Sequence, residues 1–117
     1  MSFKVTTIEE ELYLEVILEG KYSFERFLES GQTAAEEARA RGKNKILIDL
    51  THLKGSIPEL DKAELGSHSK THFGDLKVAF LDTLEQNMRF AENISVNRGA
   101  NVHSFRDRAD ALEWLLH

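Results

Sequence analysis

The chain has 117 residues, no cysteine, and 20 acidic against 15 basic residues, which gives a net charge of −5. The missing cysteines exclude a disulfide framework, a thiolate zinc site and a cysteine nucleophile, and the negative charge argues against a nucleic-acid partner. No apolar run approaches the roughly 20 residues that cross a bilayer, and the N-terminus lacks the pattern of a signal peptide. We therefore expect one cytoplasmic domain over residues 1–117, without membrane insertion.

The first part of the chain predicts a hairpin followed by a helix. Residues 2–8 and 12–19 are predicted strands, because apolar and more polar side chains alternate in the second of them. The acidic residues 9–11 between them are predicted as the hairpin turn. Ser23 is a predicted N-cap for a helix with one apolar stripe, and Gly42 is the predicted C′ residue that ends it.

The rest of the chain alternates strand and helix patterns. The predicted strands are 45–50, 76–81 and 101–105, and the predicted helices begin at Ser56, Thr83 and Asp107. Thr83 and Gln86 form a capping box, from which we expect a helix with Leu84 facing inward. The predicted core consists of Ile46, Ile48, Val78 and Phe80, covered by Phe27, Leu112 and Leu115. The order β-β-α-β-α-β-α-β-α predicts an α/β domain with a mixed sheet of about five strands and four helices.

Polar residues follow two of the predicted central strands. Asp49, Thr51 and His52 end the first strand, and Asp82 and Thr83 end the second. The carboxyl ends of parallel strands meet at one edge of a sheet, and open α/β sheets bind their ligands at that edge. The sequence therefore predicts a candidate site there, although no glycine-rich phosphate loop follows either strand.

Ser56 has two interpretations. It stands three residues before Glu59 with Pro58 between them, which predicts that Ser56 caps the next helix. The alternative is a phosphorylation site, because a helix N-terminus stabilises a dianion. A catalytic triad of Ser56, His52 and Asp49 is not predicted, because the Gly-x-Ser-x-Gly pattern is missing.

His68 and His72 lie four residues apart, the spacing at which two imidazoles on one helix can chelate a metal ion. Residues 66–70 form helices poorly, however, so we expect the helix to fray before His72. The pair also lacks the glutamate of the His-Glu-x-x-His arrangement. We therefore expect two solvated histidines, with no metal or other cofactor, and keep a zinc site as the alternative.

Two stretches of the sequence carry a family resemblance. Residues 46–51, Ile-Leu-Ile-Asp-Leu-Thr, are similar to an apolar strand that ends in Asp-Leu/Phe-Ser in the STAS fold, named for sulfate transporters and anti-sigma-factor antagonists. Residues 97–115 resemble the ending of a STAS/Sec14-like branch of small bacterial proteins. Phosphorylatable members carry Asp-Ser-Ser-Gly where this chain has Gly-Ser-Ile-Pro-Glu, so only Ser56 occupies a comparable place.

The resemblance implies a small STAS-like regulatory module that is not an enzyme and binds a protein partner. The expected surface surrounds the helix start at Ser56 and includes Asp49, Thr51, His52, Asp82 and Thr83. A carrier or sensor of a small apolar ligand, as in Sec14-like proteins, is the alternative. A metal-dependent enzyme that uses His68 and His72 is less favoured. The identity of the partner and the formation of a homodimer are left open.

Overall fold

A computed structural model describes residues 3–117 and confirms the predicted order of elements. The strands are β1 (Lys4–Glu9), β2 (Leu14–Lys21), β3 (Lys45–Lys54), β4 (Lys77–Leu81) and β5 (Asn101–Phe105). The helices are α1 (Phe24–Ala40), α2 (Glu59–Phe73), α3 (Arg89–Asn97) and α4 (Arg108–Leu116). The strands form one mixed sheet in the order β1-β2-β3-β4-β5, with β1 antiparallel to β2 and the other pairs parallel. Within residues 3–117, none of the helices combines the length and apolar character that crossing a bilayer requires.

The two faces of the sheet carry separate hydrophobic cores. Ile48 and Phe80 lie in the larger core with Phe27, under α1, α2 and α3. Successive residues of a strand point to opposite faces, so Leu47 lies in the smaller core under α4, together with Leu115. The predicted core residues of the central strands and Phe27 are therefore buried together. The prediction that Leu112 and Leu115 cover the same core is wrong, because they lie on the other face of the sheet.

The predicted ends of α1 are confirmed. The Ser23 hydroxyl accepts a hydrogen bond from the backbone N–H of Arg26 (3.5 Å). At the other end, Gly42 adopts a φ of 70°, which a residue without Cβ tolerates, and the N–H of Lys43 donates to the Ala38 carbonyl (2.8 Å). This arrangement is the Schellman type of helix ending.

The predicted capping box at Thr83 forms, but it closes only one turn. The Thr83 N–H donates to Gln86 Oε1 (3.1 Å), and the Gln86 N–H donates to Thr83 Oγ1 (3.4 Å). Asn87 then takes a φ of 42°, which a continuing right-handed helix does not allow, and α3 begins only at Arg89. Leu84 consequently lies on the surface, and its predicted inward orientation is wrong.

Helices α2 and α3 cross at very short range beside Gly66. A Cβ atom on Gly66 would lie 2.7 Å from the Ala91 carbonyl oxygen and 2.8 Å from Ile94 Cβ. Close by, the hydroxyls of Ser69 and Ser95 are hydrogen-bonded to each other at 2.7 Å in the buried contact. The crossing therefore depends on small side chains that let the two backbones approach.

Candidate functional site

The carboxyl end of β3 contains a β-bulge held by Asp49. Between Asp49 and His52 the pairing advances by three residues on β3 but by two on β2, so β3 carries one extra residue. Asp49 Oδ1 accepts hydrogen bonds from the Thr51 N–H (2.9 Å) and hydroxyl (2.6 Å). The strand continues to Lys54 beyond this bulge, so its predicted end at Leu50 is wrong.

Asp82 links the segments that follow β4 and β5. Its carboxylate is only 2% exposed and accepts hydrogen bonds from the Met88 N–H and from Arg106 Nε, both at 2.7 Å. The neighbouring Gln86 donates through Nε2 to the Leu53 carbonyl (2.9 Å), which ties the turn after β4 to the end of β3. The two aspartates of the predicted polar edge therefore brace separate parts of the backbone.

Among the residues that the structure describes, the edge contains no serine–histidine–acid relay. His52 Nε2 lies 4.0 Å from Asp49 Oδ2, and the histidine ring is largely exposed. Within residues 3–117, Ser56 makes no hydrogen bond with either of these residues. The structure brings the histidine and the aspartate near each other without placing a nucleophile against them.

Ser56 does not cap α2, contrary to the prediction. Pro58 occupies the N-cap position, and no side chain of residues 3–117 caps this helix. Ile57 is buried in the core, so the chain stays extended through Pro58 before the helix begins at Glu59. Ser56 is left exposed in the loop, and its hydroxyl has no hydrogen-bond partner within residues 3–117.

We predict that Ser56→Ala changes the free energy of unfolding by no more than about 0.5 kcal/mol, because the hydroxyl caps nothing. The matched control is Ser23→Ala, which removes the real cap of α1 and should cost about 0.5–2 kcal/mol. Urea melts of both variants provide the measurement. A loss for Ser56→Ala equal to that of the control would contradict the uncapped start of α2.

Two exposed leucines lie in the segments that follow β3 and β4. Leu60 lies in the first turn of α2 and is 81% exposed, and Leu84 lies in the turn after β4 and is 82% exposed. Because β3 and β4 are neighbouring parallel strands, the segments that follow them emerge at one edge. We call the surface of Ser56, Leu60 and Leu84 the leucine edge. The sequence did not indicate it, because Leu84 matched the apolar spacing of a longer helix.

Comparison with solved structures decides the fold family. No protein-family model and no curated protein matches the sequence. An anti-sigma factor antagonist from Mycobacterium paratuberculosis superposes with a TM-score of 0.67 at 11% identity, over 99% of this chain and 96% of that one. The chain has a STAS-like fold. An uncharacterised DUF3478-family protein with a SpoIIAA-like fold from Shewanella loihica also matches, with a TM-score of 0.55 and 25% identity, over 97% of this chain and 93% of that one.

His68 and His72 of this STAS-like domain are stacked on α2. The helix runs through to Phe73, so the predicted fraying before His72 is wrong. The two rings lie 5.6 Å apart with planes only 10° from parallel. His68 Nε2 lies 3.4 Å from a Glu64 carboxylate oxygen, whereas His72 Nε2 lies 3.1 Å from Gln32 Nε2. No group of three metal-ligating side chains occurs within the part of the chain that the structure describes.

We predict that His72 makes the fold less stable in mild acid. Burial, and to a smaller extent the neighbouring His68, lower the pKa of His72 below its ordinary value of 6.5. The unfolded chain therefore binds a proton more readily, and stability decreases as the pH falls below about 6.5. Thermal melts at pH 7.5 and 5.5 should show a smaller loss for His72→Gln than for the wild type. Equal losses would contradict this assignment.

The interior of the STAS-like fold has little room for an apolar ligand. A cavity of about 30 Å³ lies between the sheet and helices α1 to α3. A water molecule needs about 10–15 Å³ by this measure, whereas sites for drug-sized ligands have volumes of about 300–1,000 Å³. The geometry consequently does not favour the carrier function that the resemblance to Sec14-like proteins suggested.

Proposed function

We propose that this chain is a regulatory module that binds a protein partner through the leucine edge, without catalysing a reaction. The exposure of Leu60 and Leu84 above 80% is the observation that carries the proposal. Large apolar side chains that share an exposed surface are typical of docking sites. Burying one leucine fully contributes about 1.5–3 kcal/mol, so the pair could anchor a complex. The fold of an anti-sigma factor antagonist supports a role in binding proteins.

Phosphorylation of Ser56 is the proposed control of this binding. The Ser56 hydroxyl is exposed, and Leu60 follows it four residues later. A phosphate adds about −1.5 to −2 charges, which would be costly to desolvate beneath an apolar partner. Phosphorylated Ser56 is therefore expected to weaken docking. Ser56→Asp should lower the affinity several-fold, whereas Ser56→Ala should leave it unchanged.

The experiment is a quantitative pull-down from the native host with immobilised protein. The double variant Leu60→Ser/Leu84→Ser should retain less than about a tenth of the bound partner, because two anchors are lost. The matched control is Val96→Ser, which removes another exposed apolar side chain near the end of α3, at the opposite edge of the sheet. Equal capture by the double variant and the wild type would overturn the proposal, as would an equal loss in the control.

A further inference from the structure

A polar groove of about 480 Å³ opens at the carboxyl ends of β4 and β5. Its walls include Arg89 at the start of α3, and His103, Phe105 and Arg106 in and after β5. This volume falls within the range of small-molecule sites, about 300–1,000 Å³. Open α/β sheets bind ligands outside the carboxyl ends of their strands, which is where this groove lies.

Two buried carboxylates, Asp82 and Glu92, hold side chains that line the groove. The buried Asp82 carboxylate accepts its hydrogen bonds from Arg106 and the backbone, as described above. Glu92 of α3 is also buried, and its Oε1 accepts from the Ser104 N–H (2.8 Å) and hydroxyl (2.5 Å). The other oxygen, Oε2, lies 2.7 Å from His103 Nδ1. The charge of Asp82 is balanced by Arg106, and both carboxylates hold groove-lining side chains in position.

The basic side chains keep donors for a ligand. Arg89 has no hydrogen-bonding or ion-pair partner among the side chains of residues 3–117. Arg106 is 43% exposed and uses Nε for Asp82 and one terminal nitrogen for Asn87 (3.4 Å). A guanidinium carries five N–H donors, so Arg106 retains others. Two arginines thus share one groove in a chain whose net charge is −5.

We propose that this groove binds a small ligand that carries a phosphate group, with Arg89 and Arg106 as the phosphate-binding residues. The planar fork of a guanidinium matches two phosphate oxygens at once, and the bond to Asp82 orients Arg106 before the ligand arrives. The aromatic ring of Phe105 supplies an apolar wall for the rest of the ligand. The groove lining shares no residue with the leucine edge, and the proposal does not depend on the proposed partner.

The test is titration of the purified chain with inorganic pyrophosphate at constant ionic strength, followed by amide NMR shifts. We expect saturable shifts at the start of α3 and along β5. Arg89→Gln should weaken binding about tenfold, because it removes a charged hydrogen-bond donor to the phosphate. The matched control is Arg98→Gln, which removes an exposed arginine at the other end of α3 and should leave the dissociation constant unchanged.

Three outcomes would overturn the assignment. Shifts that do not saturate at millimolar pyrophosphate would show that the groove holds no site. Equal weakening by Arg98→Gln and Arg89→Gln would show a general attraction to positive charge. Saturable shifts away from α3 and β5 would place the ligand elsewhere. Arg89 is exposed and braces nothing in residues 3–117, so its substitution should leave the melting temperature unchanged, which excludes misfolding as the cause.

Discussion

Replacing Phe80 with alanine is expected to lower the free energy of unfolding by about 3–5 kcal/mol. Phe80 lies on the interior strand β4, directly paired with Ile48 of β3 and Ser104 of β5, and is buried in the larger core. Removing the ring loses the free energy gained by burying it away from water. It also leaves a void that the paired strands cannot close. The existing cavity beside Phe80 would grow.

Urea denaturation provides the measurement, with Phe90→Ala as the control. Phe90 on α3 has the same side chain, but a large part of it is exposed. Its truncation should cost less than half as much as that of Phe80. A loss below about 1 kcal/mol for Phe80→Ala would contradict the burial of Phe80 in the larger core.

Gly66→Ala is expected to destabilise the fold by about 1–3 kcal/mol, the range for overpacking a filled interior. In an unconstrained helix the same change would stabilise by about 0.5–1 kcal/mol, because glycine has the larger conformational freedom. Here the added Cβ would lie 2.7 Å from the Ala91 carbonyl oxygen. A backbone atom cannot relieve this clash by a change of side-chain rotamer. Helices α2 and α3 would have to move apart.

Gly31→Ala on α1 is the matched control and should have the opposite sign. Its added Cβ would meet only the ring of Phe73, at 3.7 Å, an ordinary contact distance. We therefore expect a gain of about 0.5–1 kcal/mol from the helix propensity of alanine. Thermal or urea melts of the two variants decide the matter. A gain for Gly66→Ala would contradict the close crossing of α2 and α3.

The order of the elements could be predicted because each element carries a local signal. The continuous apolar run at 45–50 is typical of a strand buried on both faces, and Ser23 and Asp107 cap their helices as their residue types suggest. The side of the sheet that each helix covers could not be predicted, since no local pattern encodes it. Leu112 and Leu115 consequently lie on the unexpected face.

The candidate site was only partly visible in the sequence. The positions of Asp49 and Asp82 at the ends of two strands follow from the sequence pattern, but the partner of Asp82 is Arg106, 24 residues later in the chain. Ser56 does not cap α2, and the capping box at Thr83 forms but does not open α3, because tertiary contacts outweigh both local patterns. Burial of Ile57 delays one helix, and the bond of Gln86 to β3 holds the other turn in place.

The most direct test of the central claim is site-specific photo-crosslinking in the native host. A photoreactive amino acid replaces Leu84 in one variant and Val96 in another, so that the probes occupy exposed positions at opposite edges of the sheet. We expect one discrete protein adduct from the Leu84 position and none from the Val96 position. Adducts of the same protein at both positions, or none at Leu84, would contradict binding of a partner through the leucine edge.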